Sequence, residues 1–481
     1  MLLAREMVPV GVVSIESDQS GAHIMWEFSS SFPRYSSLLR QAWLICAWCW
    51  FSLGFAASLQ AAEQASLPTH SPPLAHRAPV TLHFVTWKAD HPKVWDEAID
   101  RFEQAYPHIH IHREIAPHSS TAYHDLLAQK LKNQDRALDV FFMDVIWPAE
   151  FAAAGWALPL DTWFSLEARQ QFLPATIEAG TYRGHIYGVP SRIDSGMLYY
   201  RADLLAKYGF APPVTWQELV YQAKTIVAGE RTEHPAIRGY SGQFKQYEGL
   251  VCDMLEFVGS NGGAFLTPDG RTAALSDPRT KQAIAFVRSH ILPELATPAV
   301  LTYQEPESLA IFVQGKAVFH RNWPYAWGLA NDPRHSKIAG RVGVTVLPHF
   351  PNGRSVAALG GWLYGISAYS RHPEEAWTFI EFMTSASMQK YFALRAALAP
   401  SRLALYRDPE ILSANPQYRN LFPVFLTATP RPRTPVYPII SHILQRFFSR
   451  VLAFPDLDLD REAREAERQI NRFLRLVESL S

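Results

Sequence analysis

Cysteine is scarce, with three residues in 481. Cys46 and Cys49 form a C-x-x-C, a spacing that elsewhere serves redox or metal chemistry. Both fall inside a hydrophobic leader-like run, where that spacing carries no such meaning. Without the run only Cys252 remains, which excludes an intrachain disulfide. Stability must then come from an apolar core, which a chain of this size can bury. Charge of one sign is also missing: 45 Lys and Arg balance 45 Asp and Glu. The balance argues against a nucleic-acid protein, which needs a basic surplus. It also excludes an acidic tail or a polybasic membrane patch. No G-x-S-x-G, H-E-x-x-H, P-loop or Rossmann fingerprint occurs. There is no internal repeat, and no long linker divides the chain after residue 80.

What is present is an aromatic-rich globular chain. Hydrophobic residues at 48% against 19% charged exclude a disordered one. The length suggests two or three domains at about 150 residues each. Aromatics at 13% imply either a bulky core or a site that uses ring faces. Ala42 to Ala57 is a continuous apolar run, preceded by Arg34 and Arg40 and followed by small residues to Ala62. That pattern reads as a secretory signal with cleavage near Ala61 or Ala62, opened at Met1 or Met25. The run is close to spanning length, so an uncleaved anchor is the alternative. Residues 1–62 are therefore an N-terminal extension and signal. Residues 63–78, with Pro68, Pro72 and Pro73, are a linker.

Val80 to Trp87 alternates like a strand, and Trp95 to Tyr106 has helical spacing ended by Pro107. His108 to His112 reads as a second strand, Tyr123 to Leu131 as a helix, and Asp139 to Asp144 as a buried strand. The β-α-β-α-β order predicts an α/β fold with a parallel sheet. Asp144 then sits at a strand's carboxyl end, the edge where open α/β sheets bind ligands. Further helices are expected at 216–228, 281–290, 308–314 and 374–383. Strands are expected at 317–320, 342–346 and 362–366, and a helical tail from Pro438 to Leu480 breaks near Pro455. His108, His110 and His112 share one strand face. Three imidazoles there could ligate a metal, but a solvated face opposite Ile109 and Ile111 is the plainer reading, and no metal or cofactor is expected.

Several stretches, in order, resemble the extracellular solute-binding proteins of ABC importers, in the branch that binds maltose, trehalose and other oligosaccharides. Asp139-Val140-Phe141-Phe142-Met143-Asp144-Val145-Ile146-Trp147 is similar to that family's buried strand and ligand-facing acid. Tyr187-Gly188-Val189-Pro190 with Asp194-Ser195-Gly196-Met197-Leu198-Tyr199-Tyr200-Arg201 resembles its first crossing between lobes. Pro213-Val214-Thr215-Trp216 resembles the next helix start. Phe312-Val313-Gln314-Gly315-Lys316-Ala317-Val318-Phe319-His320-Arg321-Asn322-Trp323-Pro324 carries the strongest likeness. Gly360-Gly361-Trp362 resembles the return crossing, and Ala399-Pro400-Ser401-Arg402 a late element. The resemblance implies two discontinuous α/β lobes joined by a hinge, with ligand in the cleft. The first lobe would hold 79–190 and 359–395. The second would hold 191–358 and 396–481.

Sugar hydroxyls bond best to charged and planar polar groups, and sugar C–H faces lie on aromatic rings. The resemblance thus implies a site drawn from Trp87, Lys88, Asp144, Trp147, Arg192, Asp194, Trp323, Gly361, Trp362 and Arg402, with Tyr325 and Arg395 as further candidates. Asp144 could instead cap a helix, Trp147 could be lobe core, and Asp194 could stabilise a turn. Many relatives carry an aromatic residue where this chain has Arg192, a departure that replaces a stacking face with a donor. The implied function is capture of a neutral di- or oligosaccharide outside the cytoplasm, by a monomer, for delivery to an ABC permease. Arg192, Arg321 and Arg402 would suit a sugar phosphate instead, and a polyol is the other variant. Asp144 and Asp194 could form a glycosidase pair, the only enzymatic reading.

Overall fold

The computed structural model describes residues 78–87, 91–117 and 119–480. The apolar run at 42–57, the C-x-x-C and Lys88 lie outside the described residues.

The chain lays down β1 (Val80–Trp87), α1 (Pro92–Ala105), β2 (Ile109–Ala116), α2 (Ser120–Lys132) and β3 (Val140–Asp144). Each element has a local cause. In β1, Leu82 and Phe84 point into the core at the two-residue period of a strand. Pro92 opens α1 at the first helical position, where its missing N–H costs nothing. Trp95, Ala98, Ile99 and Phe102 then form its buried stripe. The Ser119 side chain caps α2 by accepting from the Ala122 amide. β3 is buried at every residue, as a central strand must be.

β4 (Val189–Ser195) follows a small hairpin, and one residue later β5 (Met197–Arg201) begins. Then come α3 (Trp216–Glu230), β6 (Arg238–Ser241), α4 (Glu248–Ser260), α5 (Glu305–Val313), β7 (Ala317–Asn322), β8 (Val342–Thr345) and β9 (Leu359–Ile366). α6 (Pro373–Met383), α7 (Tyr437–Ala453) and α8 (Leu459–Leu480) complete the elements used below.

Two sheets result. The first has the order β2-β1-β3-β9-β4, the second β8-β5-β7-β6. β1, β2 and β3 are parallel, as the alternating strands and helices predict, but β9 runs antiparallel between β3 and β4. The sheet is mixed because β9 belongs to a chain crossing and not to a β-α-β unit. The helix expected at 281–290 is Pro278–Phe286, continued by a π-turn over Val287–Ile291. His110 and His112 are exposed on β2, and the His112 ring packs 4.9 Å from His83.

Two cores form, and the second sheet also lends Tyr199, Ala317 and Val342 to the first. Phe84, Trp95, Phe142, Tyr364 and Phe379 centre the first, and Leu219, Tyr240, Phe257, Ile284 and Phe448 the second. The chain passes between them at Gly196, at Ala357–Ala358, and again after Ala428. The last two crossings run side by side: the Thr429 amide donates to Ala357 O at 2.8 Å, and the Leu359 amide to Thr429 O at 2.8 Å. Ala399, Tyr406, Tyr418 and Phe425, assigned by the resemblance to the second lobe, pack in the first core. The edge of the first sheet pins them there, because the Ile193 amide donates to Ala399 O and the Leu173 amide to Ser401 O. Helices α7 and α8 do pack in the second core.

Candidate functional site

A cleft of about 640 Å³, open to solvent, lies between the carboxyl edge of the first sheet and the start of α4 and end of β7. Trp87, Asp144, Arg192, Asp194, Gly361 and Trp362 line it from the first sheet. Tyr247, Glu248, Glu305, Trp323 and Tyr325 line it from the other side.

The register of the first sheet brings its residues together. Trp362 sits opposite Asp144, and Gly360 opposite Asp194. A bulge between Trp362 and Leu363 interrupts the pairing with β4 and re-aims the indole. Gly361 has φ +134, and a Cβ there would lie 2.7 Å from Arg192 O, so this approach of β9 to β4 requires glycine. Trp362 lies parallel to Trp87, with ring centroids 5.3 Å apart, and to Phe142 at 5.6 Å. It is only 8% exposed. The Arg192 guanidinium caps both indoles, 5.3 Å from Trp87 and 5.8 Å from Trp362. Its Nε donates to Asp194 Oδ2 at 3.1 Å. The substitution read in the sequence as an extra donor is thus also a cation over a pair of rings.

Asp144 meets Arg431, whose Nη2 donates to Asp144 Oδ1 at 3.0 Å and to Leu359 O at 3.2 Å. Arg431 Nη1 donates to Glu248 Oε1 at 2.8 Å. One buried guanidinium on the third crossing therefore ties the end of β3 to the start of α4. Burial pushes the Asp144 carboxyl up to about 6, against the pull of Arg431 and with the push of Glu248. Burial also holds the Cys252 thiol, beside the cleft, well above its ordinary value, so it stays protonated.

Trp323 leaves β7 half-buried, its Nε1 donating to Glu305 Oε1 at 3.2 Å. The Arg321 guanidinium lies 3.9 Å from its ring centroid, behind it. A Cβ on Gly360 would lie 3.1 Å from both Trp323 Cζ3 and Asp194 Cβ, so glycine at 360 lets the two walls meet.

Three expected residues stand apart. Trp147 begins a short helix with its ring turned into the core, against Tyr123 and Phe151, and is 2% exposed. Arg402 spans Thr384 O and Gln171 Oε1 and stacks on Phe172, away from the cleft lining. Arg395 faces Glu97 on α1.

Glu248 and Arg431 were not anticipated. A signal existed for the first: Glu248, Asp253 and Glu256 are three acids in the otherwise apolar helix Glu248–Ser260, with no base among them. Buried acids need distant cations, and the structure supplies Arg431 for Glu248 and Arg321 for the other two. Arg431 itself stands between Pro430 and Pro432 with no periodicity to mark it.

The lining offers carboxylate acceptors, guanidinium donors and indole surface. Both acids of the glycosidase pair are engaged by arginines. The sequence profile of the bacterial extracellular solute-binding proteins matches residues 88–390. A probable ABC transporter-binding protein of Deinococcus radiodurans is 38% identical over 339 residues, covering 70% of this chain and 79% of its own. The maltotriose-binding protein of Pyrococcus abyssi is 26% identical over 278 residues, 57% of this chain and 56% of its own. The structure of maltose-bound MalE3 of T. maritima superposes with a TM-score of 0.76 at 37% identity, covering 82% of this chain and 99% of the other. With that profile, that relative and a two-lobed α/β fold around a cleft, the chain belongs to the bacterial extracellular solute-binding proteins, the capture components of ABC transporters, and is a binder and not an enzyme.

Proposed function

We propose that this protein captures a neutral di- or oligosaccharide between its lobes and hands it, as a monomer, to an ABC permease. One observation carries the choice of a neutral ligand. Asp144, Asp194, Glu248 and Glu305 line the cleft against two arginines, Arg192 and Arg431. Both arginines are already held by carboxylates. Among the described residues a phosphate would meet surplus negative charge and no cation without a carboxylate partner, whereas hydroxyls can donate to the acids. Arg321 and Arg402, the other cations an anionic ligand would use, are not on the cleft lining. The maltose-bound relative supports the same class. Export follows from the family. No helix of the described residues is long and apolar enough to cross a membrane, and the run at 42–57 serves as a signal removed near Ala61 or Ala62.

Calorimetric titration of the mature protein with maltose, trehalose, sucrose, mannitol and glucose 6-phosphate tests the reading. The expected result is saturable binding of a neutral sugar with a Kd on the order of a micromolar, about −8 kcal/mol. Binding of the phosphate alone would overturn it. Binding of mannitol alone would keep a neutral hydroxylated ligand and discard the oligosaccharide.

A further inference from the structure

We propose that Arg321 and Glu256 are positioning residues for ligand capture: a buried ion pair that fastens the Trp323 wall of the cleft to two of the chain crossings. Neither residue lines the cleft. Arg321 on β7 is 1% exposed and Glu256 on α4 is 2% exposed.

The pair is bidentate. Arg321 Nε donates to Glu256 Oε2 at 2.8 Å and Nη2 to Glu256 Oε1 at 2.5 Å. Nη1 donates to Gln243 Oε1 at 3.1 Å, and the Gln243 amide nitrogen returns a bond to Arg321 O at 3.0 Å. Asp253 adds a second carboxylate, 3.3 Å from Nε. A buried ion pair is no cheaper than apolar packing of the same volume. What it supplies here is direction, because the fork of a guanidinium fixes its plane.

That plane touches both structures that matter. Trp323 rests 3.9 Å from the guanidinium carbon. On the other side the Ala358 amide, on the return crossing, donates to Glu256 Oε1 at 3.1 Å. Gly196, the outgoing crossing, packs so closely that a Cβ would lie 1.9 Å from Glu256 Oε1 and 2.8 Å from Arg321 Nη2. A change of angle at either crossing must therefore move the carboxylate, the guanidinium and the indole together. Sugar contact at Trp323 and hinge position would be read by one rigid unit.

The affinity part of the test rests on the sugar-binding reading; the fluorescence part does not. Arg321→Lys keeps the charge and loses the flat fork. The emission of Trp323 is obtained as the difference between the protein and its Trp323→Phe variant, each with and without Arg321→Lys. In the ligand-free Arg321→Lys protein, Trp323 should shift to the red and become more accessible to acrylamide. Maltose Kd should rise about tenfold, and that effect should vanish in the Trp323→Phe background, the mark of coupling through the indole. A merely structural role would lower the melting temperature and leave both readouts of the folded protein unmoved, and that result overturns the proposal. Should Arg321→Lys fail to fold, Gly196→Ala presses on Glu256 from the crossing and must produce the same Trp323 shift. If the parent protein binds none of maltose, trehalose and sucrose, the sugar reading fails, and the Trp323 emission alone decides this one.

Discussion

The two walls of the cleft are built differently. Trp87, Asp144, Arg192, Asp194 and Trp362 stand on four strands of one sheet, and ladder hydrogen bonds set their spacing. Tyr247, Glu248, Glu305, Trp323 and Tyr325 stand on helix starts and on the turn after β7. No ladder spaces them, and side-chain bonds do so instead: Glu248 to Arg431, Trp323 to Glu305 and to the Arg321 cation. The lesson is that strand pairing sets the first wall, while buried charge holds the second in place. Aromatic residues on the two walls should therefore fail in different ways when removed.

The largest effect should come from the first wall. Trp362→Ala deletes a ring packed against Trp87, Phe142, Tyr123 and Trp147. Its truncation should cost about 3–5 kcal/mol of unfolding free energy in denaturant titration. A loss below about 1 kcal/mol would mean that the ring is mainly ligand surface. Trp323→Ala should do the reverse. It leaves the sheets intact and weakens sugar binding by about 1–3 kcal/mol in calorimetry. Equal losses of stability in the two variants would erase the distinction between the walls.

Acid should act through the first wall next. Asp144 titrates near 6, raised by burial. Below that pH it is protonated, so Arg431 loses one of its two carboxylate partners and ligand hydroxyls lose an ionised acceptor. Affinity is thus present above pH 6 and lost as pH falls through it, with Kd rising about tenfold per pH unit below 6. Titrations at pH 7.5, 6 and 5 check this, and Asp144→Asn should flatten the change. A flat profile in the parent protein would remove Asp144 from the ligand's partners.

The asymmetry also governs what could be read from the sequence. The order β1, α1, β2, α2, β3 was legible because strand and helix periods are local, and Asp144 followed from its place at a strand end. Gly361 and Trp362 were legible from the doublet of glycines before the indole. The antiparallel entry of β9 between β3 and β4 was not, since it depends on where distant crossings pair. Nor was Arg431, whose two carboxylate partners are 287 and 183 positions away in sequence. Trp147 looked like a cleft residue because it follows Asp144 closely, but the turn after β3 sends its ring inward.

The smallest effect should come from Arg402, and it sharpens the comparison most. A lone arginine after Pro400-Ser401 invites a donor role toward ligand. Its Nε instead donates to Thr384 O at 2.7 Å, and its Nη1 to Gln171 Oε1 at 2.5 Å. Its guanidinium carbon lies 4.4 Å from the Phe172 ring centroid. These bonds join the 384–402 region to the loop at 171 within the first lobe and reach neither wall. Arg402→Gln should therefore leave sugar affinity within about 0.5 kcal/mol of the parent protein, the scatter expected for a substitution outside the site. Loss of those bonds should appear only as lower stability, about 1–3 kcal/mol for hydrogen bonds to a charged group. Tenfold weaker binding at unchanged stability would put Arg402 on the ligand and make the first wall wider than its strand ends.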